Sequence, residues 1–245
     1  MKTLLIVGGY SAIAEETAKL FAAQGHRLVL WGRSAERLKS VKQNLLVLGA
    51  TEVLTFEVDL DDCAAHAPLL QKTLKKVGNV DIALVAHGTL PNQSAIESEF
   101  KEIEAALHTN FITYASLLTE FANYFEPRKQ GTIAAITSVA GDRGRKSNYV
   151  YGSAKAGASA FVDGLRGRLV ESGVHVVNIK PGMVDTPMTS HMKKGPLFAQ
   201  PKAVASGIVT AIIKKKNTVY LPGYWRFIMC IIRSIPEFIF KKTNI

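Results

Sequence analysis

A tyrosine and a lysine four residues apart are the pair in this sequence best suited to acid–base chemistry. Tyr151 and Lys155 lie in a segment of helical character, and this spacing places both side chains on one helix face. An ammonium group favours a neighbouring phenolate, so we expect Lys155 to lower the pKa of Tyr151 from about 10 towards the working pH. Tyr151 could then exchange a proton with a hydroxyl or carbonyl oxygen of a substrate. Because this spacing is common by itself, the surrounding residues decide its meaning.

Two further groups follow apolar runs that predict strands. Ser138 comes directly after the run 132–137, and parallel strands present such residues at the carboxyl edge of a sheet. Its hydroxyl could polarise a carbonyl oxygen there. A loop after the next strand has backbone groups and a hydroxyl that could hold a nicotinamide carboxamide. The candidate contacts in this loop are Pro181, Gly182, Val184 and Thr186.

A glycine turn follows the first apolar run, residues 3–7, and leads into a helical segment. Glycines at such a place let the backbone approach a pyrophosphate, whose negative charge the N-terminus of the helix favours. The same residues would also suit a tight turn that binds nothing. The candidate contacts in this turn are Gly8, Tyr10, Ser11 and Ile13.

The end of the second strand bears on the choice of dinucleotide. A carboxylate here would bind the ribose 2′-hydroxyl of NAD, whereas a small residue followed by arginine leaves room and positive charge for the 2′-phosphate of NADP. The sequence has Gly32 and Arg33 at this place, which favours NADP(H) over NAD(H). The alternative is that Arg33 is a surface charge at the start of a helix.

The ends of the third and fourth strands supply less distinctive candidates for the adenine and its ribose. These candidates are Asp59 and Leu60 for the adenine amino group, and Ala86 and Gly88 for the ribose. Asp59 could instead cap the next helix, together with Asp61 or Asp62.

The elements that must position these residues alternate between apolar runs that favour strands and segments of helical period. This alternation indicates βαβ units and an α/β fold. We expect a doubly wound parallel sheet of seven strands with helices on both faces, in a single domain over residues 1–245. The predicted strands are 3–7, 27–31, 52–58, 80–86, 131–137, 174–180 and 217–221. The predicted helices are 11–24, 34–48, 61–77, 97–126, 148–171 and 201–215.

Composition argues against several classes of protein. With 47% hydrophobic and 20% charged residues, the chain has enough apolar material for a large core. The two cysteines, Cys63 and Cys230, form no CxxC, which argues for a reducing compartment, and we expect the cytoplasm. The histidines lack metal-ligand spacing, so we expect no metal. The net charge of +10 comes with lysine clusters that have no interleaved aromatic residues, which argues against nucleic acid and favours a solvated basic face.

The C-terminal segment, residues 224–245, is both apolar and basic. Charged residues and a proline interrupt it too often for a helix that spans a membrane. Arg226 and Arg233 would share one face of a helix, and the opposite face would be apolar. The residues of that apolar face are Trp225, Ile228, Met229 and Ile232. The segment is therefore suited to lie on a membrane surface, and the alternative is a helix packed on the domain or on a second subunit.

In combination these positions resemble the short-chain dehydrogenase/reductase family over residues 3 to about 222. The matching positions are Gly8, Asp59, Gly88, Asn110, Ser138, Tyr151, Lys155, Pro181 and Gly182. The resemblance implies a Rossmann-type fold, hydride transfer between a nicotinamide and a carbonyl or alcohol carbon, and a homo-oligomer. It implies that Tyr151 donates the proton and that Ser138 orients the carbonyl. It also implies that Lys155 activates the tyrosine and binds the ribose, and that Asn110 holds a water of the proton relay.

The sequence departs from the family pattern at two places. The family's entry loop has the form TGxxxGxG, whereas this chain has Val7 in place of the threonine and Ala12 and Ala14 in place of the later glycines. The family's Asn-Asn-Ala-Gly after the fourth strand is replaced here by Val-Ala-His-Gly at residues 85–88. Both changes bear on cofactor affinity and leave the proton chemistry in place.

Residues 139–157, 180–188 and the C-terminal segment are similar to a branch of the family that reduces a decaprenylphosphoryl keto-pentose (2-keto-erythro-pentofuranose). This similarity implies a small-molecule or lipid-linked carbonyl substrate, a lid over about 183–201, and peripheral contact at the inner face of the membrane. Two alternatives remain open. One is a 3-oxoacyl-[acyl-carrier-protein] reductase whose basic surface meets the acidic carrier, and the other is a non-catalytic nucleotide-sensing scaffold, suggested by the missing glycines.

Overall fold

Seven strands form one sheet at the centre of the protein, whose computed structural model describes residues 1–243. The strands are β1 (Thr3–Val7), β2 (Arg27–Gly32), β3 (Glu52–Glu57), β4 (Ile82–Val85), β5 (Thr132–Ile136), β6 (His175–Pro181) and β7 (Thr218–Leu221). All pair in parallel, in the order β3-β2-β1-β4-β5-β6-β7. The chain changes its direction across the sheet between β1 and β4, and the carboxyl ends of these strands border a crevice suited to a ligand. The predicted α/β Rossmann-type sheet is thus confirmed.

Helices cover both faces of this sheet. They are α1 (Ala12–Ala22), α2 (Ala35–Val47), α3 (His66–Val77), α4 (Gln93–Ile96), α5 (Phe100–Leu107), α6 (Thr113–Phe125), α7 (Tyr149–Leu169), α8 (Pro201–Ile213), α9 (Trp225–Ser234) and α10 (Glu237–Phe240). One core joins the sheet to α1, α2 and α8, and a second joins it to α3, α6 and α7. Every residue of β1 and β4 is buried, which explains why these strands are apolar throughout.

The predicted helix 97–126 is confirmed in part: the chain is helical from Phe100 to Phe125, but a π turn over His108–Ile112 divides this stretch into α5 and α6. Asn110 lies in this turn, fully buried, and its Nδ2 donates to the carbonyl oxygen of Ala106 at 2.9 Å. A side chain that bonds to the backbone in this way competes with the regular ladder of the helix. Such π turns are often found at functional sites.

The C-terminal segment folds as α9 and α10 and packs on the body of the protein. Trp225, Met229 and Ile232 are buried together with Phe240. The alternative of a packed helix is therefore correct for this face, while the opposite face remains exposed. Within residues 1–243 no helix combines the length and the apolar character needed to cross a bilayer.

Candidate active site

Ser138, Tyr151 and Lys155 come together beyond the carboxyl end of β5. Ser138 begins a short 3-10 turn, and its Oγ accepts a hydrogen bond from the amide of Ala140 at 3.0 Å. Tyr151 lies in the first turn of α7 and Lys155 in the next. The Nζ atom of Lys155 is 5.9 Å from the centroid of the Tyr151 ring. The two side chains therefore share one face of α7.

Protein groups enclose the ammonium group of Lys155. The residue is 3% exposed. Its Nζ donates to the carbonyl oxygen of Ile136 at 3.3 Å and lies 4.0 Å from the centroid of the Tyr114 ring. Burial lowers the pKa of Lys155 to about 7, because the charged form loses its hydration. The carbonyl dipole and the aromatic face compensate part of that loss.

The pKa of Tyr151 shifts in the direction opposite to the expectation from the sequence. Burial raises it to about 12, and a hydrogen bond with Ser138 offsets only part of the increase. The expectation that Lys155 would lower this pKa is wrong in this geometry. The free energy needed to desolvate the buried phenolate is larger than the free energy gained from its attraction to the desolvated amine of Lys155. Tyr151 therefore keeps its proton at neutral pH.

Asn110 and Lys155 both lie close to Gly88 at one corner of this cluster. The Oδ1 atom of Asn110 accepts from the amide of Thr89 at 3.1 Å, and its Nδ2 donates to the Thr89 hydroxyl at 3.2 Å. A Cβ atom at Gly88 would lie 2.7 Å from Asn110 Oδ1 and 3.6 Å from Lys155 Nζ. Gly88 also has a φ of +147°, which favours glycine. The absence of a side chain at this position leaves room for both the asparagine and the lysine beside the backbone.

The ring of Tyr114 lies against the ammonium group of Lys155. Tyr114 was not among the candidate residues identified from the sequence. Its hydroxyl is 2.7 Å from the carbonyl oxygen of His87 and 3.0 Å from that of Ile136, so it joins the ends of β4 and β5. Burial is the main cause that lowers the pKa of His87 well below its usual value, and its imidazole is neutral at pH 7. The signal that points to Tyr114 is its position one turn after Asn110.

The turn between β1 and α1 leaves groups free at the start of the helix. Gly8 has a φ of +80°, and the amides of Gly8 and Gly9 donate to the carbonyl oxygen of Trp31 at 2.9 and 3.0 Å. Ser11 is the N-cap residue of α1, and its Oγ is buried without a hydrogen-bond partner among the described residues. The neighbouring Tyr10 and Ile13 are partly buried and pack against the hydrophobic core. A free hydroxyl and unpaired helix amides suit an anionic ligand.

Two arginines flank the end of β2. The hydroxyl of Tyr10 accepts from the amide of Arg33 at 3.2 Å, and the guanidinium carbon of Arg37 lies 4.3 Å from the centroid of the Tyr10 ring. Both arginines are exposed, and no ion pair joins either of them to a carboxylate within residues 1–243. Sequence reasoning missed Arg37, although its place four residues after Arg33 was the available signal.

Asp59 lies in a local turn at the end of β3. It is exposed, and its Oδ1 accepts from the amide two residues later at 3.1 Å. Asp62 caps the following 3-10 turn by accepting from Ala64 at 3.0 Å, and α3 begins at His66, later than the predicted start at 61. The predicted capping role in this region is therefore filled by Asp62, which caps the 3-10 turn that precedes α3. The remaining candidates at these strand ends, both buried, are Leu60 and Ala86.

The end of β6 contacts the C-terminal helix directly. Strand β6 includes Pro181, one residue beyond its predicted end, and the amide of Gly182 donates to Leu221 at 3.0 Å. A Cβ atom at Gly182 would overlap the ring of Trp225. Glycine therefore allows α9 to pack on the loop that follows β6.

The loop over 183–201 is tied at its base. Val184 forms a parallel bridge with Ala199, and the amide of Asp185 donates to Ala199 at 2.8 Å. Thr186 caps a short turn, with its amide donating to the Thr189 hydroxyl at 3.2 Å. The segment between these points is largely exposed, as a movable loop would be.

Comparisons with known proteins agree with this arrangement. The family model described as short chain dehydrogenase matches residues 2–196. An uncharacterized oxidoreductase of Mycobacterium tuberculosis H37Rv is 36% identical over 239 residues, which cover 98% of this chain and 96% of the relative. An uncharacterized oxidoreductase of Streptomyces coelicolor is 34% identical over 244 residues, with 98% and 95% covered.

Solved structures share the fold at lower identity. A short-chain dehydrogenase from Sphingobium yanoikuyae in complex with NADPH has a TM-score of 0.82 and 21% identity, and covers 97% of each chain. Levodione reductase has a TM-score of 0.83 and 22% identity, and the match covers 91% of this chain and 97% of that one. From the family match and the two relatives, the chain belongs to the short-chain dehydrogenase family of NAD(P)-dependent oxidoreductases.

Proposed function

We propose that this protein reduces a carbonyl group of its substrate, with Tyr151 as the proton donor. The observation that carries the proposal is the burial of Lys155 beside Tyr151 at the end of β5. Because the pKa of Tyr151 is raised to about 12, its hydroxyl holds a proton at neutral pH and can give it to a carbonyl oxygen. The ammonium of Lys155 would stabilise the phenolate that remains, and Ser138 would hold the carbonyl oxygen by a hydrogen bond. Bound NADPH would supply the hydride.

Asn110 would hold a water that returns a proton to this cluster. Its amide nitrogen is engaged by Ala106 and Thr89, and one lone pair of Oδ1 is engaged by the Thr89 amide. A second lone pair of Oδ1 remains on the side of Gly88 and Lys155.

NADPH is the preferred cofactor in this proposal. The backbone amide of Arg33 and the guanidinium group of Arg37 both contact Tyr10, where the ribose 2′-phosphate would lie, and β2 ends without a carboxylate. The free hydroxyl of Ser11 and the start of α1 would bind the pyrophosphate. The full set of proposed cofactor contacts is Gly8, Tyr10, Ser11, Ile13, Arg33, Asp59, Leu60, Ala86, Gly88, Tyr151, Lys155, Pro181, Gly182, Val184 and Thr186.

For the substrate we propose a lipid-linked keto-sugar, as the resemblance of residues 139–157 and of the C-terminal segment implies. The loop 183–201 would close over the sugar. The names of the two relatives described above state no substrate. Support comes from the C-terminal helices, because α9 packs beside Gly182 and thus borders the site.

The outer face of α9 and α10 would rest on an anionic membrane on its cytoplasmic side. This face exposes large apolar side chains beside basic ones, and that combination suits an interfacial helix. The exposed apolar residues are Phe227, Ile231, Phe238 and Ile239. The exposed basic residues are Arg226, Arg233, Lys241 and Lys242. The alternative occupant of this face is a second copy of the chain in a homo-oligomer.

The reaction is tested by following NADPH oxidation with a panel of ketones, keto-sugars and a 3-oxoacyl thioester. We expect a keto-sugar to be reduced, and Ser138→Ala to lower kcat by about 100-fold. Ser147→Ala is the matched control, since Ser147 is exposed in the same loop. Reduction of the thioester alone would point to the acyl-carrier alternative. Tight NADPH binding without any reduction would identify a nucleotide-sensing scaffold.

Membrane contact is tested by cosedimentation with vesicles that contain phosphatidylglycerol. We expect the double variant Phe227→Ser/Ile231→Ser to bind about tenfold more weakly than the unmodified protein, because two exposed apolar anchors are lost. Val47→Ser/Val170→Ser removes exposed apolar side chains elsewhere and should leave binding unchanged. If the double variant instead changes the oligomeric state and neither protein binds vesicles, the face is a subunit interface.

A further inference from the structure

Arg145 is a largely enclosed cation that lacks good partners within the protein. It lies in the loop between Ser138 and Tyr151. Its Nη2 is 3.4 Å from the carbonyl oxygen of Val139 and 3.9 Å from the sulfur of Met229, both at the limit of a hydrogen bond. Its Nε is buried and has no hydrogen-bond partner among the described residues. No carboxylate of residues 1–243 forms an ion pair with it.

Arg143, two residues earlier, shows what a structural arginine looks like in this loop. Its Nη1 donates to the carbonyl oxygens of Ile232 and Ile235 at 2.6 and 2.7 Å, and its Nη2 pairs with Glu237 at 3.0 Å. Its guanidinium carbon also lies 3.6 Å from the centroid of the Phe240 ring. Arg143 therefore anchors α9 and α10 to the loop, and Arg145 is not needed for this structural role.

The surroundings of Arg145 place it beside the catalytic cluster. Val139 directly follows Ser138, and Met229 belongs to the inner face of α9, which also carries Trp225 against Gly182. Burial lowers the pKa of Arg145, and the nearby Asp142 carboxylate opposes this only in part. A desolvated cation without an ion-pair partner is costly, and such a group is commonly retained where a ligand supplies the missing partner.

We propose that Arg145 binds an anionic group, a carboxylate or a phosphate, on the substrate whose carbonyl is reduced by the Ser138 and Tyr151 cluster. The inference rests on the proposed carbonyl reduction and narrows its substrate to an acid. A guanidinium group presents a planar fork of donors that matches both kinds of anion. The unpaired Nε and the weakly bound Nη2 are donors that such an anion would engage.

The test compares paired probes with the NADPH-dependent enzyme. Dihydroxyacetone phosphate is set against dihydroxyacetone, and levulinate against methyl levulinate, for the unmodified protein and for Arg145→Met, Arg145→Lys and Lys146→Met. Lys146 is the control because it is exposed in the same loop. Binding of each probe to the NADP-loaded protein is also measured by calorimetry, which does not require turnover.

We expect Arg145→Met to raise KM and Kd for one of the two anionic probes by roughly 10- to 100-fold, because the anion loses a charge-assisted hydrogen bond. The neutral probes should change less than about twofold, Arg145→Lys should restore part of the affinity, and Lys146→Met should have no effect. The anion that responds identifies carboxylate or phosphate. Equal losses for charged and neutral probes, or no preference for either anion in the unmodified protein, would overturn the inference. If the anions bind but no probe is reduced, the proposed reaction fails while the anion site stands.

Discussion

The two ends of the crevice both present cations to a ligand, but in opposite environments. At the proton-transfer end Lys155 is 3% exposed and lies against Tyr114 and Tyr151, whereas at the other end Arg33 and Arg37 are exposed to solvent. Burial strengthens each electrostatic contact and shifts pKa values, while exposure leaves the same charges screened. Substitutions at the buried end should therefore change catalysis by orders of magnitude, and those at the exposed end should change cofactor choice by small factors.

The largest effect is expected from Lys155→Met. We expect kcat to fall by about 1,000-fold, because the phenolate formed at Tyr151 loses its buried counter-charge. The same change should raise the free energy of unfolding at pH 7. The pKa of Lys155 is about 7 in the folded protein and 10.5 in the unfolded chain. Below pH 7 the buried ammonium therefore lowers the free energy of unfolding by its full amount, and this destabilisation decreases as the pH rises to 10.5. Stopped-flow assays and thermal unfolding at pH 7 and pH 10 measure both quantities.

A Lys155→Met protein that is less stable at pH 7 than the unmodified one would show that the ammonium is compensated by its surroundings. In that case the burial of Lys155 would carry no net cost, and the buried and exposed ends of the crevice would not differ in the way described above.

A smaller effect should come from the ring beneath the lysine. We expect Tyr114→Leu to lower kcat/KM by about 30-fold, which is the loss of a desolvated cation–π contact of about 2 kcal/mol. The charged form of Lys155 becomes less favourable, so the alkaline fall in the pH profile of kcat/KM should move to lower pH. Tyr114→Phe keeps the ring and should keep the position of that fall. If both variants give the unmodified profile, Tyr114 is only a packing residue.

At the exposed end, Arg33→Ser and Arg37→Ser should each raise KM for NADPH by about fivefold, the scale of an exposed ion pair. The KM for NADH should remain unchanged, and the NADPH effect should shrink as salt is added. Steady-state kinetics with both cofactors at two ionic strengths measure this. A similar rise for NADH would mean that these arginines act on the fold and not on the 2′-phosphate.

The smallest effect on cofactor binding is expected from Asp59→Ala. Asp59 closes a local turn, so its loss should cost about 0.5–1 kcal/mol of stability, as lost caps do. The KM values for NADPH and NADH should rise equally, by about twofold, because Asp59 is also a proposed contact of the adenine that both cofactors share. Unchanged KM values together with a loss of stability in urea unfolding would mean that Asp59 only closes the turn.

The sequence predicts the sheet well because each strand is an apolar run between turn signals. All seven strands fall within two residues of their predicted bounds. The break at Asn110 was not predictable from periodicity, since the apolar pattern continues from α5 into α6. It accompanies hydrogen bonds from the Asn110 side chain to the carbonyl oxygen of Ala106 and to the hydroxyl of Thr89, and the second of these forms only in the folded chain.

The residue types of the candidate site were also visible in the sequence, but their titration was not. Spacing places Lys155 beside Tyr151, yet the direction of the pKa shift of Tyr151 depends on burial by groups distant in sequence. Tyr114 and Arg145 were missed for the same reason. No motif assigned a role to either residue, although Arg145 lies within the segment 139–157, and only contacts with other elements indicate what each residue does.

The most direct test of the account is the kcat/KM for reduction of the preferred carbonyl by Tyr151→Phe, with Tyr149→Phe as the control. Tyr149 is 43% exposed in the same turn of α7 and should be replaceable without loss. We expect a loss of about 1,000-fold or more for Tyr151→Phe, with NADPH binding retained in a fluorescence titration. Activity within about threefold of the unmodified protein would contradict the assignment of Tyr151 as the proton donor.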